Sequence, residues 1–319
     1  MDPSIASSPS AVVAADGSGD YLSLIEALAS NETNILIKNG IHNVFTTILI
    51  QNHTTKIQGE SIEQTILRQA DPSKDLIKIN ADDVSITRLT LDTFTHSAQA
   101  ALVVASSNRT RIEGNKILGA ASIFAVYFAG PQVTPGADTI AAVEENHLDN
   151  ENVFENNTLY SEGIRVSRNL EHPISLGSRY HGLEIMYNKI WDTRFFGIEL
   201  DQLSNHINVM FNTIDHPDFS GIQVLRCSKI NISNNIISNF GAWKGRGKIR
   251  DWTSDSNGIY LETDVQQSSI YLNEIISKGN GDFGIRVTKE TSHNRVYFNR
   301  VLGTYVQHPL WIEGNNFGK

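Results

Sequence analysis

Seven asparagines along the chain share one local frame, in which an apolar residue lies three positions before the asparagine and another lies two positions after it. They are Asn115, Asn157, Asn188, Asn212, Asn235, Asn273 and Asn299. Successive asparagines are separated by 42, 31, 24, 23, 38 and 26 residues, so the shortest gaps define the basic period and the longer ones indicate insertions. Such a period is typical of a solenoid, in which each repeat buries its apolar side only against its neighbours.

Segments that begin Gly-Ile lie between the asparagines and alternate apolar with variable residues, which is the pattern of half-buried strands. They begin at Gly163, Gly197, Gly221, Gly258 and Gly284. We expect each glycine to form a tight corner with positive φ, and each asparagine to adopt a left-handed bend. Stacked coil upon coil, the asparagine amides would form a ladder inside the turn. Residues 86–91 keep the frame with Leu89 in the asparagine position, which predicts an early coil.

This repeat resembles the right-handed parallel β-helix of the pectin-lyase-like superfamily, and the start of the chain resembles pectin methylesterases. The start contains Val12-Val13-Ala14-Ala15-Asp16-Gly17-Ser18-Gly19-Asp20-Tyr21 and Ile35-Leu36-Ile37-Lys38-Asn39-Gly40-Ile41. The resemblance implies an all-β, right-handed parallel β-helix and a carbohydrate-active protein. The catalytic motifs of pectin methylesterases, polygalacturonases and mannuronan epimerases are absent from the sequence. The coil layout is also similar to inulin fructotransferases, but no family's catalytic set transfers.

A solenoid grows by adding coils, so we expect one domain over residues 11–305. Residues 1–10 are small and polar, which predicts a loose tail. Residues 306–319 lose the repeat, which predicts a cap or a tail after the last coil.

A short capping helix is predicted near the start of the chain. Ser23 and Glu26 have the spacing of a capping box. Leu22, Ile25 and Leu28 share one face of this helix. We expect that face to plug the N-terminal end of the solenoid, where an exposed coil would otherwise invite edge pairing.

Composition excludes several classes of protein. The net charge of −9 argues against a dedicated nucleic-acid binder, which would usually be basic. The single cysteine, Cys227, excludes an internal disulfide. The sequence has no apolar stretch of about 20 residues that would span a membrane. Met1-Asp2-Pro3-Ser4 lacks the features of a signal peptide, and we expect an extracellular or periplasmic protein whose signal was removed or which is exported by another route.

Three carboxylates are the candidate catalytic residues. In a Gly-Ile strand, the second and fourth residues after the glycine face away from the core. This parity puts Glu199, Asp201 and Glu262 on one outward sheet face. With strands about 4.8 Å apart, these acids allow either separation that glycosidases use, about 5–5.5 Å for retention or about 6.5–9.5 Å for inversion. Ordinary solvated surface charge is the alternative explanation.

Candidate substrate-binding residues surround these acids. They are Tyr260, Arg165, Arg226 and Arg286 and, in the insertion at 241–257, Trp243, Trp252, Asp251 and Asp255. Tryptophan faces suit sugar rings, because C–H groups pack on the π surface, and arginines pair with carboxylated sugars. A loop that is only anchored by tryptophan packing is the alternative. No histidine spacing is diagnostic of zinc, so we assign no metal.

We therefore predict a poly- or oligosaccharide substrate, no nucleic-acid partner and no cofactor. In a glycoside hydrolase or transglycosidase, Glu262 and Asp201 would act as acid and as base or nucleophile, while Glu199 tunes their pKa. A uronan lyase or epimerase is the second hypothesis; it would use an arginine to neutralise the substrate carboxylate and would admit calcium. A non-catalytic tail-fibre or adhesin module is the third. Monomer and homotrimer are both open.

Overall fold

The computed structural model describes most of the chain outside its central insertions. The described residues are 8–71, 73–93, 100–104, 107, 109–118, 124–128, 153–155, 158–160, 174–176, 183–191, 193, 196–201, 205–241 and 256–318. Within these residues the chain is almost entirely β-structure, with one short helix.

Short strands follow one another along the chain in a repeating order. They are β1 (Ala11–Val13), β2 (Asn34–Ile37), β3 (Gly40–Val44), β4 (Ile48–Ile50), β5 (Lys56–Gly59), β6 (Thr65–Gln69), β7 (Ile77–Ile79), β8 (Ser85–Thr87), β9 (Thr90–Asp92), β10 (Ala100–Val104), β11 (Arg111–Glu113), β12 (Lys116–Leu118), β13 (Phe124–Phe128), β14 (Val153–Glu155), β15 (Thr158–Tyr160), β16 (Ile174–Leu176), β17 (Glu184–Met186), β18 (Lys189–Trp191), β19 (Ile198–Leu200), β20 (Asn208–Met210), β21 (Thr213–Asp215), β22 (Ile222–Val224), β23 (Asn231–Ser233), β24 (Ile236–Ser238), β25 (Asn257–Leu261), β26 (Ser269–Tyr271), β27 (Glu274–Lys278), β28 (Phe283–Val287), β29 (Ser292–Tyr297), β30 (Arg300–Thr304), β31 (His308–Ile312) and β32 (Asn315–Gly318).

From β2 onward every third strand joins the same parallel sheet, so the chain winds as a β-helix with three sheets, and β1 pairs with β2 at the start. Sheet 1 runs β1-β2-β5-β8-β11-β14-β17-β20-β23-β26-β29-β32. Sheet 2 runs β3-β6-β9-β12-β15-β18-β21-β24-β27-β30, and sheet 3 runs β4-β7-β10-β13-β16-β19-β22-β25-β28-β31. Because all neighbours are parallel and nearly in register, equivalent residues of successive coils form columns along the helix.

The apolar positions of the sequence frame fill the core of this β-helix. Residues three before the asparagine form one buried column in sheet 1, which includes Ile185, Val209, Ile232 and Ile270. Residues two after it form a second column in sheet 2, which includes Ile190, Ile214, Ile237 and Ile275. Each column buries branched apolar side chains against the coils above and below, which is the stacking that a solenoid requires.

The predicted asparagine ladder is confirmed at the corner between sheets 1 and 2. Nδ2 of Asn188 donates to Oδ1 of Asn212, and the same 2.9 Å bond links Asn212 to Asn235, Asn235 to Asn273 and Asn273 to Asn299. Each Oδ1 also accepts the backbone N–H of the preceding asparagine, at 2.9–3.0 Å. The ladder thus pairs polar groups that would be costly to bury unpaired.

A further hydrogen bond ties ladder asparagines to the strand of the previous coil. Nδ2 of Asn235 donates to the carbonyl of Val209 at 2.8 Å, and Val209 lies three positions before the ladder asparagine of the previous coil. In the early coil, Asn115 binds the carbonyl of Ile86 and accepts the N–H of Leu89. The prediction that Leu89 occupies an asparagine position is therefore confirmed. Asn157 lies outside the described residues.

Two conformational expectations are wrong. The left-handed bend does not fall on the asparagine but on the residue before it. Those residues are Arg88, Gly114, Tyr187, Phe211, Asn234, Leu272 and Phe298, with φ between 56° and 60°. This bend turns the chain one residue early, so that the asparagine side chain points into the corner and its amide meets the next coil.

The glycines that open the strands of sheet 3 do not have the positive φ that we expected. Gly197, Gly221, Gly258 and Gly284 are absent from the left-handed region. Close packing requires them instead: a Cβ on Gly221 would lie 2.4 Å from Cγ2 of Ile237 and 2.7 Å from the carbonyl oxygen of Gly258. Ile237 lies two positions after a ladder asparagine, so the two sequence signatures pack against each other. Gly163 lies outside the described residues.

The N-terminal helix, α1 (Leu24–Ala29), begins at Ser23 with the predicted capping box. Its buried face consists of Leu24, Ala27 and Leu28. The predicted face was wrong, because Leu22 precedes the helix and is 57% exposed, while Ile25 is 38% exposed. The helix still packs on the first coils, with contacts to β1 and β4. In the described chain, no helix is long and apolar enough to cross a membrane.

The last residues continue the coil instead of leaving it. Strand β31 pairs with β28, and β32 pairs with β29. A second, shorter ladder links Asn294 to Asn316, with Nδ2 of Asn294 donating to Oδ1 of Asn316 at 3.0 Å. The backbone N–H of Ser268 donates to Oδ1 of Asn294 at 2.9 Å. Residues 306–318, for which the sequence indicates a cap or tail, thus extend sheets 1 and 3, with a register shift between Ser292 and Arg295 in sheet 1.

Replacing Asn235 with alanine is expected to lower the free energy of unfolding by about 3 kcal/mol, because the buried groups that it pairs lose their partners. Urea unfolding followed by circular dichroism measures the change. Asn43→Ala, at an exposed position on β3, is the control and should change stability by about 0.5 kcal/mol or less. Equal stability of the two variants would contradict the structural role of the ladder.

Candidate functional site

The strands of sheet 3 present two columns of outward side chains beside the buried apolar positions. Ile198, Leu200, Ile222, Val224, Ile259, Leu261, Ile285 and Val287 are completely buried. Register pairs Glu199 with Gln223, Gln223 with Tyr260, Tyr260 with Arg286, and Arg286 with Trp311. The alternation inferred from the Gly-Ile segments therefore holds for β19, β25 and β28, whereas on β22 the outward residue Gln223 is itself buried.

A second outward column begins one residue after each strand. Backbone hydrogen bonds align Leu225 with Asp201, and Glu262 with Leu225. Strands β19 and β25 are separated by β22, so Asp201 and Glu262 stand two strand spacings apart, about 10 Å. The three candidate acids lie on the same sheet face, and their catalytic role stays a prediction.

Glu262 is a half-buried acid held by a neighbour. Nε2 of Gln223 donates to Oε2 of Glu262 across the adjacent strands. Burial raises the pKa of Glu262, and the charges of Glu290, Asp201 and Glu199 raise it further against the opposing hydrogen bond from Gln223. Such a carboxyl keeps its proton at a higher pH than an exposed glutamate, which is a property of general acids.

Asp201 has a different environment, because it forms a two-point ion pair with Arg226. Nε of Arg226 donates to Oδ1 of Asp201 at 2.8 Å, and a second guanidinium nitrogen donates to Oδ2. Arg226 follows β22 with a left-handed φ of 47°, which returns its side chain toward β19. The hydrogen bonds to Asp201 raise the pKa of Arg226. Only 14% of the Asp201 side chain is exposed, so this carboxylate is fixed in position.

Tyr260 and Arg286 form a cation–π pair in the first column. The guanidinium carbon of Arg286 lies 5.3 Å from the centre of the Tyr260 ring and 5.0 Å from that of Phe283. Burial, followed by the charge of Glu262, raises the pKa of Tyr260 well above its ordinary value. Burial lowers the pKa of Arg286, and the charge of Glu313 opposes that shift. The Tyr260 phenol is therefore suited to donate a hydrogen bond and poorly suited to act as a base.

Five predicted binding residues lie outside the described part of the chain. They are Arg165, Trp243, Asp251, Trp252 and Asp255. In the coil where we expected a strand at Gly163, sheet 3 uses β16 instead, and Ser175 pairs with Glu199. The column position assigned to Arg165 therefore belongs to Ser175. The insertion at 241–257 falls between β24 and β25 in the sequence, and residues 242–255 of it lie outside the described part of the chain.

The sequence missed two features of this face. The hydrogen bond from Gln223 to Glu262 joins residues 39 positions apart and has no local signal. Trp311 occupies the first column on β31, although Pro309 replaces the expected Gly-Ile frame there. The spacing along the sequence could have identified this position, because Trp311 follows Arg286 by 25 residues and Arg286 follows Tyr260 by 26. Among the described residues, no group of three or more histidine, cysteine or acidic side chains is placed to hold a metal ion.

A family model described as a right handed β-helix region matches residues 174–317. The fold is a right-handed parallel β-helix. This agrees with the class predicted from the asparagine and Gly-Ile frames. No curated protein matches the chain.

Solved structures with this fold include enzymes and phage proteins. An alginate lyase from Paenibacillus sp. str. FPU-7 superposes with a TM-score of 0.64 at 12% identity, covering 96% of both chains. The Dettilon tailspike protein gives a TM-score of 0.57 at 12% identity, with 92% of this chain and 63% of that chain covered. The bacteriophage CBA120 tailspike protein 2 gives 0.51 at 11% identity, covering 92% and 40%. This chain thus spans less than two thirds of either tailspike chain, and at such identity the likeness shows the fold alone.

The raised pKa of Glu262 predicts a pH-dependent effect of Glu262→Gln on stability. At pH values below 4.5, the ordinary pKa of a glutamate, the Glu262 carboxyl is protonated in both the native and the unfolded protein. As the pH rises through the raised pKa, burying the charge destabilises the native protein relative to the glutamine variant. We therefore expect the variant to gain stability over the unsubstituted protein between acidic and neutral pH.

Urea unfolding at a series of pH values measures this difference. Glu63→Gln, at an acid whose side chain is 68% exposed and bound to Lys116, is the control for loss of a carboxylate elsewhere. A glutamine variant that instead loses relative stability as the pH rises would contradict the burial of Glu262.

Proposed function

We propose that the outward face of sheet 3 binds a carbohydrate chain and that the protein cleaves or transfers a glycosidic bond there. The observation that carries this proposal is the pair of acids in contrasting environments: Glu262 is half-buried with a raised pKa, and Asp201 is bound by Arg226. Glycoside hydrolysis requires two carboxyl groups that play different roles, one that donates a proton and one that acts as base or nucleophile. The β-helix fold shared with a lyase and with tailspikes is compatible with this use of the face.

The proposed acid is Glu262. Its carboxyl proton passes to the leaving-group oxygen as the glycosidic C–O bond breaks, and solvent later returns a proton to Glu262. Gln223 holds the carboxyl through Oε2 and keeps it directed along the sheet. Glu199 and Glu290 help to keep the proton on Glu262, because their charges raise its pKa.

The proposed base is Asp201. It accepts a proton from the attacking water, whose oxygen forms the new bond to the anomeric carbon. Two strand spacings separate the Cα atoms by about 10 Å, so the two side chains can reach the carboxyl separation of about 6.5–9.5 Å in inverting enzymes or of about 5–5.5 Å in retaining ones. In a transglycosidase, a sugar hydroxyl replaces the water, and Trp243 and Trp252 remain the predicted ring-binding residues.

A uronan lyase or epimerase is the second candidate, because Arg286 lies over Tyr260 on the same face. A lyase would use the guanidinium to neutralise the substrate carboxylate and a base to remove the C5 proton. The raised pKa of Tyr260 opposes the phenol as that base, and Arg226 already binds Asp201. These two observations favour the glycosidase over the lyase. A glycan-binding module without catalysis is the third candidate.

A panel of neutral and uronic polysaccharides separates the three candidates. New reducing ends without absorbance from unsaturated uronate indicate hydrolysis, and gain of that absorbance indicates a lyase. Chromatography of the products detects a transferase or an epimerase, and NMR of the first product gives the anomeric configuration. Binding without any product would leave the glycan-binding module, and would contradict the proposed enzyme.

Glu262→Gln is expected to lower kcat by about 10²–10⁴-fold while the protein stays folded, because the variant has no proton to donate. Activity of the unsubstituted protein should fall as the pH rises through the raised pKa of Glu262, since a general acid must be protonated. Turnover assays across pH, with circular dichroism as the folding check, measure both effects. Glu274→Gln, on β27 of sheet 2, is the matched control and should keep full activity. Full activity of the Glu262 variant would remove Glu262 from catalysis.

A further inference from the structure

The last three strands of sheet 3 carry a connected cluster of rings beside the candidate acids. We propose that this cluster is a binding subsite for an uncharged sugar ring. The cluster consists of Tyr260, Phe283, Arg286, His308 and Trp311, and we call it the Trp311 platform. The proposal rests on the proposed function for its substrate chain. It adds the chemical class of that chain and identifies Trp311 as the residue that binds it.

Ring contacts fix the orientation of Trp311. Its ring stacks on His308 with 4.9 Å between centroids and 21° between planes, and it packs against Phe283 at 6.2 Å and 54°. Phe283 is buried and anchors the group, whereas Trp311 is 39% exposed. A large aromatic ring that is ordered before binding loses little conformational entropy when a ligand packs on it. Tryptophan also combines a broad apolar surface with a polar N–H edge, which suits a sugar ring.

The platform lies along the same face as the proposed acid. Trp311 on β31 pairs with Arg286 on β28, which pairs with Tyr260 on β25. Trp311 is in register with Tyr260, and Glu262 lies two residues further along that strand, so two strand spacings and this offset put Trp311 about 12 Å from Glu262 between Cα atoms. A sugar chain that crosses the strands toward the C-terminal end of the β-helix would therefore contact both the acid and the platform.

Charge around the platform favours a neutral sugar. Glu262, Glu290 and Glu313 act on Tyr260 electrostatically, and all three raise its pKa. The guanidinium of Arg286 lies over two ring faces and is within reach of the charge of Glu313. With Glu262 protonated, a uronate carboxylate would still meet the charges of Glu290 and Glu313 here, against the single guanidinium of Arg286, and like-charge contacts reduce affinity. The chemistry of the platform therefore selects a neutral chain over a uronan.

Binding should be measured in Glu262→Gln, which keeps the substrate intact. Isothermal titration with malto-, cello-, xylo- and fructo-oligosaccharides of increasing length provides the neutral arm, and oligogalacturonates and oligoalginates provide the acidic arm. Adding Trp311→Ala is expected to weaken the binding of the longer neutral chains by about tenfold and to leave the shortest ones unchanged. In the active protein, Trp311→Ala should raise KM for long chains at constant kcat.

Phe317→Ala is the matched control, because Phe317 is an exposed aromatic residue on β32 of sheet 1, outside the platform. Trp311→Phe should restore part of the affinity. Unchanged affinity in Trp311→Ala, tighter binding of the acidic chains, or no binding of any neutral chain would each overturn the proposal. Binding through Trp311 without turnover of any substrate would instead uphold the subsite and reject the proposed function. Turnover with a KM for long chains that Trp311→Ala leaves unchanged would uphold the proposed function and reject the subsite.

Discussion

The hydrogen-bonded asparagine ladder is the interaction on which the remaining architecture depends. A β-helix must turn a corner in every coil, and each corner leaves backbone groups without a strand partner. Here the carboxamide of Asn235 accepts from the backbone and side chain of Asn212, and donates to Val209 and to Asn273. Each coil is therefore fixed in height and rotation relative to the next. Register between coils follows from that constraint.

Strict register between the coils brings residues that repeat along the sequence together on one surface. Because equivalent residues stack about 4.8 Å apart, a side chain at one position of a strand has neighbours from the coils on both sides. Glu262 meets Gln223 in this way, and the carboxylates of the same face raise its pKa. The rigid core of isoleucine, leucine and valine beneath holds these groups in place. Charged and aromatic side chains can then be brought together without any loop to position them.

The proposed chemistry and the proposed subsite use different parts of one sheet face. Glu262 and Asp201 supply acids in contrasting environments, whereas Trp311 supplies an ordered ring at the C-terminal end of the face. Arg286 connects the two regions, since its guanidinium covers the rings of both Tyr260 and Phe283. Glu290 contributes to both, because its charge helps to keep a proton on Glu262 and would disfavour an anionic chain beside Tyr260.

The sequence by itself determined the coil, the ladder and the inward or outward direction of the Gly-Ile strands, because each depends on short frames repeated many times. It also determined the capping box at Ser23. Only the tertiary structure decided that Arg226 grips Asp201, that Gln223 holds Glu262 and that Trp311 joins the face. Local patterns set where a side chain points. Partners 25 or 39 residues away are set by the register between coils and by the length of the intervening insertions, which no local pattern encodes.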